Sequence, residues 1–152
     1  MRSLGVAVVL TLGCTRAPSP APTIRVAAAS DLTQAFEQQG RAFEQATGTA
    51  VTFSFGSSGL LAKQLREGAP FDVFAAANVA FADEAVAAGA CDGATKQVWV
   101  RGRIALWSKA GAPSLEALAD ERFHRVAIAN PAHAPYGLAA KQALTKANLW
   151  SA

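Results

Sequence analysis

Residues 24–59, IRVAAASDLTQAFEQQGRAFEQATGTAVTFSFGSSG, decide the fold, because they contain two strand patterns separated by a helix pattern. The run Ile24–Ala29, apolar except for Arg25, predicts a short buried strand. The second strand pattern is an alternation of polar residues with Val51, Phe53 and Phe55. Apolar residues recur at helical spacing between the two strands, at Leu32, Phe36 and Phe43. The stretch therefore predicts a strand–helix–strand unit.

The boundaries of this unit also have sequence signals. Ser30 or Asp31 can cap the helix at its start, and Asp31 with Gln34 has the spacing of a capping box. Gly48 is a natural stop at the other end. The GSSG turn at residues 56–59 then leads into a second, leucine-bearing helix that Gly68 and Pro70 close.

The alternation continues along the rest of the chain. A third strand is predicted at Phe71–Ala76 and a third helix at Val79–Ala88. Two strand pieces are predicted within Gln97–Trp107, where we expect the chain to pass from one lobe to another. The remaining predictions are a short helix that Ser114 caps and that runs through Ala119, a strand at Arg125–Ala129 and a helix at Gly137–Ala147. Strands alternating with helices predict an α/β fold with a largely parallel sheet.

Composition excludes several classes of protein. Of 152 residues, 51% are hydrophobic and only 16% are charged, which excludes a disordered chain and favours one domain or two small lobes. The formal charge of +3 is scattered, whereas a nucleic-acid-binding face needs clustered basic residues. The two cysteines are too few for a disulfide framework or a zinc site, and Cys91 is expected to be a free thiol.

The N-terminus has the features of a secretory signal, at residues 1–13: one positive charge, a short apolar run and small residues. The run is too short to span a membrane. Its end resembles a bacterial lipobox, which predicts cleavage before Cys14 and acylation of that cysteine. The alternative is an incidental cysteine in a signal that is cut later, near Ala17 or Ala21. Residues 14–22 are then a Pro-rich tether.

Three predicted strand–helix junctions combine small or hydroxyl residues with a helix start: residues 28–30, 56–59 and 134–137. In a parallel sheet such junctions lie at the carboxyl edge, where ligands bind. Helix starts and serine hydroxyls offer N–H and O–H donors, and no Lys or Arg occurs in these junctions. The pattern predicts a compact oxyanion held by uncharged donors. The alternative is capping alone, which is the commoner role of such residues at any single junction.

The motifs AAAS-L-T, FGSSG-LA-Q-GAP-DVF and IANP-HAPYG occur here in that order. With them the chain, from Ile24 to Trp150, resembles the periplasmic molybdate-binding proteins of ATP-driven importers. The resemblance implies a two-lobed solute-binding fold of type 2, with a first lobe at residues 23–98 and a partial second lobe at residues 99–152. The family is longer, and its chain returns to complete the first lobe, so we expect the second lobe to be incomplete in this chain.

The resemblance also implies a set of site residues. Ser30 and Ser58 would each give a hydroxyl and a backbone N–H to the oxyanion, and Tyr136 would give its backbone N–H. Asn130 and His133 would order the loop before Tyr136. The turns around the site would be supported by Ser57, Gly56 and Gly137. Asn78 departs from the family, which usually has aspartate there.

The function that the resemblance implies is capture of molybdate or tungstate and delivery to the membrane permease of an ABC importer. The metal would be held only through its oxygens, with no direct protein ligand and no cofactor. We expect a monomer that is periplasmic or otherwise extracytoplasmic, anchored to a membrane by lipid on Cys14, with no nucleic-acid partner. Alternatives are another small oxyanion, an organic anion, or a truncated chain that binds nothing.

Enzymatic activity is not expected from this sequence. The GSSG turn does not have the G-x-S-x-G spacing of a nucleophile elbow. The two histidines, His124 and His133, lack acidic neighbours suited to a catalytic triad. A ligand-binding module fused to a DNA-binding domain is disfavoured by the predicted signal segment.

Overall fold

Three strands and four α-helices make up the regular structure of residues 22–150, which the computed structural model describes. The strands are β1 (Thr23–Ala29), β2 (Ala50–Gly56) and β3 (Val73–Ala75). The helices are α1 (Thr33–Thr47), α2 (Ser58–Arg66), α3 (Val79–Ala87) and α4 (Pro135–Lys146). Short 3-10 turns occupy Ser30–Leu32, Gly93–Thr95 and Glu116–Ala119. The expected signal segment and Cys14 lie outside the described residues.

The strands form a parallel sheet in the order β2-β1-β3, which confirms the predicted strand–helix–strand unit and its parallel pairing. The central strand β1 is buried from Val26 to Ala29, where helices pack close to it. A glycine of α1 permits its close approach to the neighbouring strand β2, because a Cβ on Gly40 would lie 2.6 Å from the Phe53 ring. The parallel register pairs Ala29 with Gly56 and Ala28 with Ala75, so the carboxyl ends of the three strands lie at the same edge of the sheet.

The edge strand β3 is tied to β1 at its start by Arg25 and Asp72. The backbone N–H of Arg25 donates to the Asp72 carboxylate at 2.8 Å, and the Arg25 guanidinium donates to the same group at 3.1 Å. The guanidinium hydrogen bond, with a second one from the Arg25 backbone, lowers the pKa of Asp72. The backbone N–H of Asp72 completes the link by donating to the Arg25 carbonyl at 2.8 Å.

The predicted capping box at the start of α1 is wrong. Ser30–Leu32 forms a 3-10 turn, so α1 begins only at Thr33, and no side chain caps it. The hydroxyl of Thr33 instead donates to the carbonyl of Ser30 at 2.8 Å. The predicted stop is confirmed, because Gly48 has a φ of 70° and its N–H donates to the carbonyl of Glu44.

The strands predicted at 97–107 and 125–129 are wrong as well, since neither segment pairs with a strand among residues 22–150. A strand needs a neighbouring backbone for its hydrogen bonds, and an alternating pattern does not supply one. Most apolar residues of the first segment are exposed, with Trp107 at 78% and Trp99 at 57%. The short helix predicted after Ser114 is a 3-10 turn at Glu116–Ala119, which ends at Ala119 as predicted. Its N-cap position is Leu115 rather than Ser114, although the Ser114 hydroxyl accepts the N–H of Ala117 at 3.3 Å.

Within residues 22–150, no helix combines the length and the apolar character that a membrane span requires. Cys91 is a free, partly buried thiol in the same range, as expected, and its burial raises its pKa.

Candidate functional site

The carboxyl edge of the sheet brings the first two predicted junctions side by side. Ala29 at the end of β1 pairs with Gly56 at the end of β2. Ser30 and Ser57, the next residues of the two segments, therefore leave the sheet at neighbouring positions. Neighbouring strands lie about 4.8 Å apart, so the segments that begin at Ser30 and Ser57 start from a similar separation. Ser30 is exposed at this edge and begins the 3-10 turn.

Ser58 is the most informative of the predicted site residues. It is the first residue of α2 and is completely buried, and its hydroxyl oxygen accepts the backbone N–H of Ala77 at 3.0 Å. This bond ties the start of α2 to the segment that follows β3. A serine hydroxyl that accepts one hydrogen bond still has its own hydrogen to donate. Ser58 is therefore held in place and retains a donor.

The third predicted junction reaches the same edge from the far end of the chain. The N–H of Gly59 in α2 donates to the carbonyl of His133 at 3.0 Å. Asn130 orders this loop, as expected: its side-chain oxygen accepts the N–H of Ala132 at 2.9 Å, and its carbonyl accepts the N–H of Ala134. The loop thus places the start of α4 beside the start of α2.

Helix α4 begins at Pro135, and Tyr136 is its second residue. No side chain caps this helix start, so its first-turn amides keep their partial positive charge. Gly137 is buried against the loop, and a Cβ there would lie 2.1 Å from the carbonyl oxygen of Ala129. Only glycine lets the first turn of α4 approach the chain this closely.

The side chain of Tyr136 packs against the segment that contains Gly102. A Cβ on Gly102 would lie 2.2 Å from the Tyr136 hydroxyl oxygen, so the phenol rests directly on that glycine. Burial, and then a hydrogen bond to Asp31 and its negative charge, raise the pKa of Tyr136. Asp31 follows Ser30 directly and lines the same cavity as Tyr136, so the start of α4 and the turn after β1 face a common space.

Two buried polar atoms near these helix starts have no hydrogen-bond partner in the described structure: the hydroxyl oxygen of Ser57 and Nδ1 of His133. Both belong to the segments that the Gly59–His133 hydrogen bond joins. Buried polar atoms usually have a hydrogen-bond partner. A buried polar atom that lacks one often marks a functional site.

Two cavities adjoin the site. One, of about 810 Å³, is lined by Asp31 and Tyr136 and mostly by apolar residues such as Phe36, Phe74 and Trp99. The other, of about 550 Å³, is lined by Tyr136, Asn78 and Arg103 among others. Neither Ser30 nor Ser58 lines either of these cavities, so the serines lie beside the open space rather than within it.

The sequence did not reveal two of these groups. The pattern around Asp31 predicts only a helix cap, and the pattern around Arg103 predicts only a connection between lobes. Contacts between residues so far apart in the chain leave no local signal. Among residues 22–150, no group of three or more His, Cys, Asp or Glu side chains could hold a metal ion directly.

These features define an α/β protein whose helix starts gather at the carboxyl edge of a parallel sheet, where such folds bind small ligands. A family model described as bacterial extracellular solute-binding protein matches residues 24–152. The chain belongs to that family.

Similar proteins are consistent with this assignment. Molybdate-binding protein ModA of Rhodobacter capsulatus is 32% identical over 152 residues, covering 99% of this chain and 60% of the relative. The ModA proteins of Azotobacter vinelandii and Escherichia coli K12 are 34% and 33% identical, over 95% and 84% of this chain. They are covered over 59% and 52% of their own lengths.

The structure is also similar to that of the periplasmic molybdate-binding protein of Azotobacter vinelandii. The TM-score is 0.65 at 30% sequence identity, over 83% of this chain and 56% of that protein. The α/β fold with a parallel sheet is therefore shared. The chain spans between half and three-fifths of the length of these relatives.

Proposed function

We propose that this chain belongs to an extracytoplasmic protein that captures molybdate or tungstate and delivers it to an ATP-driven membrane importer. The observation that carries the proposal is the convergence of three turns or helix starts that no side chain caps, those of Ser30, Ser58 and Tyr136. Two hydrogen bonds, Ala77 to Ser58 and Gly59 to His133, hold the start of α2, and Asp31 and Tyr136 line one cavity. The names of the relatives supply the ligand, because each is called a molybdate-binding protein.

The donors in this arrangement suit a tetrahedral dianion. Molybdate loses a large hydration energy when it is buried, so nearly every oxygen needs a hydrogen bond. Hydrogen bonds to charged groups each contribute roughly 1.5–3 kcal/mol. The hydroxyls of Ser30 and Ser58 and the backbone N–H of Tyr136 supply such bonds in the proposal, while Ser57, Gly56 and Gly137 shape the turns. The metal is then bound only through its oxygens and no cofactor is needed.

The proposal extends to the rest of the protein. Residues 1–13 direct export, Cys14 is acylated and residues 14–22 tether residues 23–98 and 99–152, the two lobes, to a membrane. Such a protein acts as a monomer and has no catalytic activity. Its partners are the oxyanion and an importer permease. Since the chain spans only part of its relatives' length, the affinity belongs to the whole binding protein.

A second candidate ligand is an organic anion. Arg103 and Tyr136 both line the cavity of about 550 Å³, which is larger than a single tetrahedral oxyanion requires. Arginine commonly binds carboxylates through two parallel hydrogen bonds. If the ligand is a carboxylate, Arg103→Ala will weaken its binding more than Ser30→Ala does.

Thermal unfolding of the protein with molybdate, tungstate or sulfate tests the ligand. At a ligand concentration a hundredfold above Kd, binding stabilises a protein by about 2.7 kcal/mol. For a chain of this size that corresponds to a rise in Tm of roughly 5–10 °C. We expect this rise with molybdate and tungstate and almost none with sulfate, which has the same charge and shape but is smaller.

The double variant Ser30→Ala/Ser58→Ala should abolish the rise, whereas Ser54→Ala, on an exposed position of β2, should keep it. An equal rise in Tm with sulfate would refute the assignment of molybdate or tungstate as the ligand. A rise that persists in the double variant would refute the assignment of Ser30 and Ser58 to the site.

A further inference from the structure

We propose that Ser57 and His133 compete for one hydrogen-bond donor, the backbone N–H of Gly59, and that this competition decides whether the loop before α4 stays docked on the start of α2. The carbonyl of His133 accepts the N–H when the loop is docked. The hydroxyl of Ser57 accepts it when the loop withdraws. This exchange of partners needs no ligand, whereas its consequence for oxyanion binding rests on the proposed function.

Ser57 occupies the N-cap position of α2 without acting as a cap. Its φ of −70° and ψ of 140° are the extended values that an N-cap residue adopts, and its carbonyl accepts the N–H of Leu61 at 3.1 Å. The hydroxyl of a serine at this position ordinarily accepts the N–H of the second or third helical residue. The hydroxyl of Ser57 makes no such bond, and its oxygen is buried without a partner in the described structure.

The donor that Ser57 would take is held by the loop. Gly59 is the second residue of α2, and its N–H donates to the carbonyl of His133 at 3.0 Å. A Cβ on Gly59 would lie 2.8 Å from Cβ and 3.0 Å from the carbonyl oxygen of His133, so the loop rests directly on this glycine. Because the backbone of Ser57 already suits a cap, rotation of its side chain is enough to bring the hydroxyl to the N–H once the carbonyl leaves.

The docked loop leaves two polar atoms unsatisfied. Nδ1 of His133 is buried without a hydrogen-bond partner, as is the hydroxyl oxygen of Ser57. A buried polar atom without a hydrogen bond raises the free energy of the state that contains it. Withdrawal of the loop lets Ser57 cap α2 and lets water reach His133, which offsets the loss of the bond between Gly59 and His133. The docked and open arrangements are therefore close enough in free energy to exchange.

The state of the loop matters for the proposed oxyanion site, because the loop leads directly to Tyr136. With the bond between Gly59 and His133 in place, the start of α4 lies beside the start of α2, which carries Ser58. An oxyanion that takes donors from both helix starts binds the docked arrangement and shifts the population towards it. A substitution that favours the open arrangement weakens binding in proportion to the docked population that it removes.

A double-mutant cycle on Ser57→Ala and Gly59→Ala tests the competition without ligand. The methyl group of Gly59→Ala displaces the loop, and the Ser57 hydroxyl should then keep the amide of residue 59 protected from hydrogen exchange. Ser57→Ala alone should also keep this protection, because the carbonyl of His133 remains. The double variant has neither acceptor, so the protection factor of this amide should fall at least about tenfold.

Thermal unfolding gives a second readout of the same cycle. Ser57→Ala should lower Tm by roughly 2–4 °C more in the Gly59→Ala background than in the wild type, since only there does it remove a helix cap. Ser57→Thr keeps a hydroxyl and is the matched control, which should preserve both protection and Tm in either background. Asn130→Ala releases the loop more mildly, because the Asn130 side-chain oxygen accepts the N–H of Ala132 at 2.9 Å. The same dependence on background is expected there if Gly59→Ala fails to fold.

The outcomes separate this inference from the proposed function. If Ser57→Ala has equal effects on exchange and Tm with the loop docked and with the loop released, the competition is refuted. Titration calorimetry with molybdate then tests the consequence for binding, which requires Gly59→Ala to bind at least about tenfold more weakly than the wild type; equal affinity refutes that consequence. If the wild type does not bind molybdate but the cycle is non-additive, the proposed function is refuted and the competition stands.

Discussion

The backbone N–H of Gly59 donates a 3.0 Å hydrogen bond to the carbonyl of His133, joining the first turn of α2 to the loop before α4. The approach is so close that a Cβ on Gly59 would lie 2.8 Å from that of His133. A main-chain hydrogen bond therefore holds the start of α2 to the loop that leads into α4. Together with the hydrogen bond from the N–H of Ala77 to the Ser58 hydroxyl, it fixes the start of α2 within the candidate site.

Gly137→Ala should destabilise the protein more than an alanine at an exposed turn glycine. The new methyl group would lie 2.1 Å from the carbonyl oxygen of Ala129, and backbone must move to admit it. We expect a loss of about 3 kcal/mol in the free energy of unfolding, measured by chemical denaturation. Gly68→Ala is the control, where φ is +87° with open space around it and the cost is about 1 kcal/mol. Equal losses would contradict the close approach.

Ser58→Ala and Ser57→Ala should have unequal effects on stability although the residues are adjacent. Ser58→Ala leaves the N–H of Ala77 without its acceptor and should cost about 1–3 kcal/mol of stability. The hydroxyl of Ser57 has no partner in the described structure, so its removal should change stability by less than about 0.5 kcal/mol. Denaturation of both variants without ligand makes the comparison, and a larger loss for Ser57→Ala would show that the hydrogen bonds are assigned wrongly.

The link between Arg25 and Asp72 should make stability depend on pH in acid. The pKa of Asp72 is lower in the folded protein than its ordinary value of 3.8, because of hydrogen bonds from Arg25. A carboxyl group whose pKa is lowered by folding stabilises the protein at pH values above its pKa in the unfolded chain. This contribution is lost as the pH falls through the pKa of the folded state. Asp72→Asn should therefore flatten the curve of unfolding free energy against pH below about pH 4. Arg25→Met should remove the same dependence, and an unchanged acid limb in both variants would contradict the link.

The phenol of Tyr136 can be titrated directly, because it is the only tyrosine in the chain. Burial first, and Asp31 second, raise its pKa above the ordinary 10.0. Tyrosinate absorbance should therefore appear at higher pH in the folded protein than in urea. Asp31→Ala should move the folded titration part of the way back, since burial remains. A titration that Asp31→Ala leaves unchanged would show that the two groups do not interact.

The sequence predicted the local parts of the fold well. Strands β1 and β2, helices α2 and α3, and the stop at Gly48 follow from periodicity and glycine placement, which act over a few residues. The start of α1 was wrong because Ser30 enters a tight 3-10 turn, and the energetic difference between that turn and a capped helix start is small.

Longer-range features could not be predicted in the same way. The alternating residues around Trp99 resemble a strand, but strand formation depends on a partner that is absent among residues 22–150. The sequence did single out Ser30, Ser58 and Tyr136. The hydrogen bond from Gly59 to His133, which brings two of their segments together, joins residues tens of positions apart and has no pattern of its own.

The central claim is that Ser30, Ser58 and Tyr136 donate to a single oxyanion, and backbone amide NMR tests it most directly. Titration of the isotope-labelled protein with molybdate should shift the amide resonances of all three residues along one binding curve with a common Kd, while sulfate at the same concentrations shifts none. Shifts confined to the residues around Trp99 and Asn78, with those three amides unchanged, would contradict the account.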